Sequence, residues 1–134
     1  MTGLVLKLAP KERLLINGAV VENGTRRARL SIVTPQAKIL RLRDAIHPDD
    51  ATTPVRRVCY AMQLVLSGDY DVADARLRLL RQIENLSHVF TDPDSAVALS
   101  NATEALLTDN HYKCLKALRS LLPRENLLLS RRVT

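Results

Sequence analysis

The chain has few of the residues that build aromatic platforms, metal cages or catalytic centres. Aromatics make up 3% of its 134 residues, with no Trp, one phenylalanine (Phe90) and three tyrosines (Tyr60, Tyr70, Tyr112), which excludes base stacking as the main device of a nucleic-acid surface. Two cysteines occur, Cys59 and Cys114, in neither a C-x-x-C pair nor a zinc-ligand spacing, so reduced thiols are expected. The histidines His47, His88 and His111 are scattered, no H-E-x-x-H or Gly-rich phosphate loop is present, and no serine or cysteine stands in a recognisable nucleophile setting. No catalytic residue, metal site or cofactor is expected. No stretch approaches the roughly 20 apolar residues of a membrane span. The opening MTGLVLKLAP also lacks the apolar run of a secretory signal, so a cytoplasmic protein with no membrane partner is expected.

What the sequence does have is charge, unevenly placed. Twenty Lys and Arg against 14 Asp and Glu leave +6. Residues 1–46 hold nine basic side chains against Glu12, Glu22 and Asp44, a net +6; residues 47–112 carry five arginines and ten acids, −5; residues 113–134 carry six basic residues and only Glu125, +5. A basic, acidic, basic order points to a polyanionic partner more strongly than the same charge spread evenly.

The first 46 residues alternate on a period of two and are cut by turn dipeptides, the pattern of consecutive hairpins. Strands are predicted at Leu4 to Leu8, Arg13 to Ile16, Ala19 to Glu22, Arg27 to Val33 and Lys38 to Arg43, with Asn17-Gly18 and Asn23-Gly24 as two-residue turns. In the fourth strand Ala28, Leu30 and Ile32 share one face and Arg27, Arg29 and Ser31 the other; in the fifth, Arg41 and Arg43 lie opposite Leu40 and Leu42. If these two strands are neighbours, four arginines share one surface. A β unit this small is near the size at which a lone core becomes marginal, so association into a homo-oligomer is expected.

After His47-Pro48-Asp49-Asp50 the period becomes helical. Thr53 reads as an N-cap and Pro54 as the first helical residue of a helix to about Leu66, stopped by Ser67-Gly68. A second helix, from about Asp71 to Phe90, carries Val72, Leu79, Ile83, Leu86 and Phe90 on one stripe and Ala73, Leu77 and Leu80 beside it, a breadth that suggests a central helix. Pro93 opens a third helix to about Thr108, and a fourth runs from about His111 to Leu122, followed by a basic tail. The fold class is α+β: a β unit over 1–46 and a bundle of about four helices over 47–134. Arg56 and Arg57 sit in a first helical turn, where cations oppose the macrodipole by roughly 0.3–1 kcal/mol. Asp49 or Asp50 is the structural partner to expect for them, and a phosphate the functional one.

The run L-V-L-K-L-A-P-K-E-R-L-L-I-N-G-A-V-V-E-N-G at 4–24 and A-T-T-P-V-R-R at 51–57 closely resemble the FlbT family of flagellum biosynthesis repressors, a likeness that spans essentially the whole chain. The resemblance implies a post-transcriptional regulator that associates with the 5′ untranslated region of flagellin messenger RNA and promotes its decay, coupling flagellin synthesis to flagellum assembly. Residues 4–46 also resemble the carbon storage regulator family of small RNA-binding dimers, through the short strands, Glu12 followed by Leu14, Ile16 and Gly18, and the closing Leu42-Arg43-Asp44-Ala45-Ile46. That likeness implies a role for Arg43 after the last strand and for Leu4 and Leu6 in the first. A basic residue that this family carries near the end of the first strand is Leu8 here. The candidate RNA-binding residues are Arg27, Arg29, Arg41, Arg43 and Lys7, with Arg56 and Arg57 as further phosphate contacts. The competing reading is a protein-interaction adaptor or chaperone of flagellum assembly, whose amphipathic helices hold a flagellar protein or co-regulator without touching RNA.

Overall fold

The computed structural model describes residues 4–131 apart from 18, 36, 38 and 42–44, and the chain divides into two compact units, Met1–Ala45 and Ile46–Thr134. Antiparallel strands precede helices, which is the α+β class.

In the first unit the strands are β1 (Leu4–Leu8), β2 (Arg13–Ile16), β3 (Ala19–Glu22), β4 (Ala28–Ile32) and β5 (Ile39–Arg41). They form two sheets, β1-β4 and β3-β2-β5. Alternation turns Leu6 and Leu8 inward beside Leu14, with Ile16, Leu30, Ile32 and Ile39 packed against them. The strand pairing corrects one expectation. β4 pairs with β1, setting Leu6 opposite Leu30, and β5 pairs with β2, setting Leu15 opposite Leu40, so apolar matching places the two arginine-bearing strands in different sheets. They are not neighbours.

The Asn23-Gly24 turn is also overturned. Gly24 has no positive φ; instead Asn23 N donates to Glu12 O and Lys11 N to Gly24 O, both at 2.8 Å, so the chain prolongs the β2–β3 pairing past Glu22. The Asn23 amide holds this path by donating to Ala9 O (2.7 Å) and Arg26 O (2.9 Å). The left-handed residue here is Lys11, at φ 63°, and Asn17, at φ 48°, turns β2 into β3; Gly18 lies outside the described residues.

The second unit begins with a short 3-10 turn, Pro48–Asp50, followed by α1 (Pro54–Ser67), α2 (Val72–Ser87), α3 (Pro93–Leu107), α4 (His111–Arg119) and α5 (Leu122–Arg131). Thr53, Asp71, Asp92 and Asn110 accept from backbone N–H groups of the first turns of α1 to α4 and so cap them. Gly68, at φ 85°, closes α1 in the left-handed conformation that side chains disfavour. The helices pack as a ring, α1 on α2, α2 on α3, α3 on α4 and α4 back on α1, and α5 lies against α1. Val58, Met62, Leu79, Leu106, Leu115 and Leu118 fill the centre. α2 is a ring member and not a central helix: its first stripe is largely buried, but Ala73 and Leu77 stay exposed and Leu80 is half-buried. The tail after α4 is the helix α5 as far as Arg131.

Candidate nucleic-acid interface

The antiparallel register of β1 and β4 sets Lys7 directly opposite Arg29, and both are exposed on the face turned away from Leu6 and Leu8. Like charges at opposed positions of a strand pair are mutually destabilising. Arg27 stands beside them, and the three line an open concavity of about 460 Å³ together with Leu8, Ala9, Glu12 and Ala28. Among the described residues, the side chains of Lys7, Arg27 and Arg29 make no hydrogen bond or ion pair. A surface that gathers three cations in this way attracts an anion.

Arg41 does different work. Its Nε and Nη2 each lie 2.7 Å from Glu12 Oε2, and Nη2 also donates to Lys7 O at 2.6 Å. Glu12 is buried, and its Oε1 accepts from Ala9 N at 2.9 Å. One guanidinium–carboxylate pair thus ties β5, the 9–12 turn and the end of β1, and it neutralises Glu12, a carboxylate that lines the concavity. Arg43 lies outside the described residues.

Arg56 and Arg57 belong to the helical unit. Arg56 Nη2 donates to Asn126 Oδ1 (3.2 Å) and Arg57 Nη2 to Thr52 O (3.0 Å), so neither relies on Asp49 or Asp50 for these bonds. The acid at this helix start comes from far along the chain: Glu125 is buried, accepts from Val55 N at 2.9 Å and accepts the Thr53 hydroxyl on its other oxygen. It completes the cap of α1 and places negative charge where the macrodipole is positive. Sequence reasoning missed this residue. The available signal was its isolation, as the single acid of the basic segment 113–134, at helical spacing from Leu121, Leu122, Leu128 and Leu129.

The thiols of Cys59 and Cys114 are buried in the helical unit, and burial pushes both up to about 12. They are packing residues at neutral pH. Among the described residues no group of His, Cys, Asp and Glu could hold a metal ion, and no helix is long and apolar enough to cross a membrane.

The family described as "Flagellar protein FlbT" matches residues 4–129. A "Probable flagellum biosynthesis repressor protein FlbT" of Caulobacter sp. (strain K31) is 29% identical over 92% of this chain and 93% of its own length. The protein so named in Mesorhizobium japonicum is 31% identical over 91% of this chain and 82% of its own. In Bradyrhizobium diazoefficiens the "Probable flagellum biosynthesis repressor protein FlbT 1" is 32% identical over 93% and 84%. No solved structure matches the chain.

Proposed function

The chain belongs to the FlbT family, and from that membership we propose that it represses flagellum biosynthesis after transcription, by binding the 5′ untranslated region of flagellin messenger RNA and promoting decay of that message. The observation that carries the RNA step is the opposed Lys7–Arg29 pair with Arg27 at its side. Without aromatic platforms, recognition rests on phosphate neutralisation, guanidinium planes and backbone hydrogen bonds to exposed loop bases. Arg41 supports this surface by holding β1 in place through Lys7 O, and Glu12 is its anchor. The protein acts in the cytoplasm, without catalysis of its own, as a homo-oligomer in which Val20 and Val21 of the exposed strand β3 are covered. A solution mass near 15 kDa at micromolar concentration rejects the oligomer.

The decisive experiment compares a flagellin leader with a scrambled leader of equal length across a salt series. Each phosphate of single-stranded RNA that the protein ceases to neutralise lowers the salt slope by about 0.7, so the Lys7→Ala/Arg27→Ala/Arg29→Ala variant is expected to lose about 2 in slope together with affinity. A triple variant that keeps the affinity and slope of the parent rejects this RNA surface.

A further inference from the structure

The α2–α3 hairpin has a surface that the RNA reading leaves unused. From Gln82 to Tyr112 the chain has no Lys or Arg, although it is +6 overall; of the five acids in that stretch Asp92 and Asp109 meet Arg124 and Arg76, which leaves Glu84, Asp94 and Glu104. That stretch offers a polyanion no cation, and the arginines of α2, Arg76, Arg78 and Arg81, all precede it. The same hairpin holds the most exposed large hydrophobic residues described in the helical unit, Leu77 (59%), Val89 (64%), Val97 (60%) and Leu107 (56%). Between its two helices lies an open groove of about 630 Å³, whose lining includes Leu80, Ile83 and Glu84 on α2 and Ala96, Ser100 and Thr103 on α3. Leu77 stands one turn before Leu80, and Leu107 one turn after Thr103, so the apolar strip continues beyond the groove.

We propose that this groove is the docking site for a basic amphipathic helix of a protein partner. Ala96, Ser100 and Thr103 recur at helical spacing and are small, which lets a third helix approach closely, as helix-in-groove recognition requires. Apolar side chains of the partner enter beside Leu77, Leu80 and Leu107, and its Lys or Arg residues flank Glu84 and Glu104. The sign of the partner's charge follows from complementarity.

The test uses the full chain and a labelled peptide of about 18 residues, roughly five helical turns, with Leu at i, i+3, i+4 and i+7 positions and Lys elsewhere. A second peptide replaces Lys by Glu, and a third replaces Leu by Ser. Only the Leu/Lys peptide is expected to bind. Ser100→Trp, which fills the groove, and Glu84→Lys/Glu104→Lys, which reverses its rim, are each expected to weaken it by at least about tenfold, while leaving leader RNA binding unchanged. All three positions are exposed, so the fold is expected to survive; if Ser100→Trp unfolds by circular dichroism, the charge-reversed pair decides. Equal binding of the three peptides, or parental affinity in the folded variants, overturns the proposal. A chain that self-associates through this groove and is dissociated by the Leu/Lys peptide also overturns it, because the occupant is then the basic C-terminal segment of a second copy.

Discussion

The helical unit fills its interior from all four ring helices, with Val58, Leu79, Leu106 and Leu115 at 0–1% exposure, whereas the β unit gathers Leu6, Leu8 and Leu14 from two separate sheets and leaves every residue of β3 exposed. Among the described residues each unit has one buried carboxylate, and both join distant segments, but the partners differ. Glu12 is paired with a full positive charge, Arg41, and Glu125 with neutral donors, the Thr53 hydroxyl and Val55 N–H, at a helix start. In the β unit, where few apolar side chains are buried, a charged link fixes the position of β5. In the helical unit the core is already closed, and the carboxylate only orders α5 on α1. The same residue type is therefore expected to matter more in the unit with less core.

Two substitutions probe that difference. Arg41→Ala takes the guanidinium away from the buried Glu12 carboxylate, and breaking a buried pair on one side costs about 3–5 kcal/mol, a large share of what a unit this small can supply. Hydrogen exchange is expected to show the strand amides losing protection while the helical amides keep theirs. Leader binding falls with the fold. If strand protection survives and RNA binding alone is lost, Arg41 belongs to the RNA surface and not to its frame. Glu125→Ala is expected to cost the helical unit less, about 1–3 kcal/mol, since it strands one hydroxyl and one N–H donor. The melting temperature should fall by roughly 4–8 °C per kcal/mol, with Glu125→Gln recovering part of the loss because its carbonyl still accepts one bond.

Much of this comparison could be read from the sequence, and the unread part has a common physical cause. Strand and helix periods, and the cap at Thr53, are local, and they placed the elements to within a few residues. Strand order depends on which apolar rows match, and local alternation does not contain that information. Hence β4 and β5 read as neighbours although one pairs with β1 and the other with β2. Arg41 and Arg29 look alike as outward arginines between apolar residues. Only the fold shows that one meets Glu12, 29 positions away, and the other Lys7 across a strand pair. Glu125 is hidden for the same reason, since its partner Val55 lies 70 positions earlier.

A smaller effect separates the units by pH. The Cys59 and Cys114 thiols, held near 12 by burial in the helical unit, ionise more readily once unfolded, where a thiol titrates near about 8.5. Their contribution is fully present below that ordinary value and is lost as pH rises toward 12. Urea midpoints of the helical unit, followed by exchange or circular dichroism, are expected to decline between about pH 8 and 10, and less steeply in a Cys59→Ala/Cys114→Ala variant. The β unit has no cysteine, so its midpoint should lack this component. An identical alkaline slope in the double variant removes the thiols as its cause.

The smallest stability change is the most informative for function, because its sign is opposite to its effect on binding. Lys7 and Arg29 face each other across β1 and β4, so Arg29→Glu replaces a repulsive pair by an attractive one at exposed positions. Opposite-charge cross-strand pairs contribute roughly 0.2–1 kcal/mol, and the β unit is expected to gain a few tenths of a kcal/mol. Leader affinity should nevertheless fall, and the salt slope with it, since one cation of the concavity has become an anion. Lys7→Glu should act alike, whereas Lys7→Glu/Arg29→Glu restores like-charge repulsion and loses the stability gain without recovering RNA. A scaffold role alone predicts that stability and binding move together. Opposed movement in both single variants therefore identifies the pair as kept for an anionic ligand, and an Arg29→Glu protein that is more stable and still binds the leader with parental affinity removes it from the RNA surface.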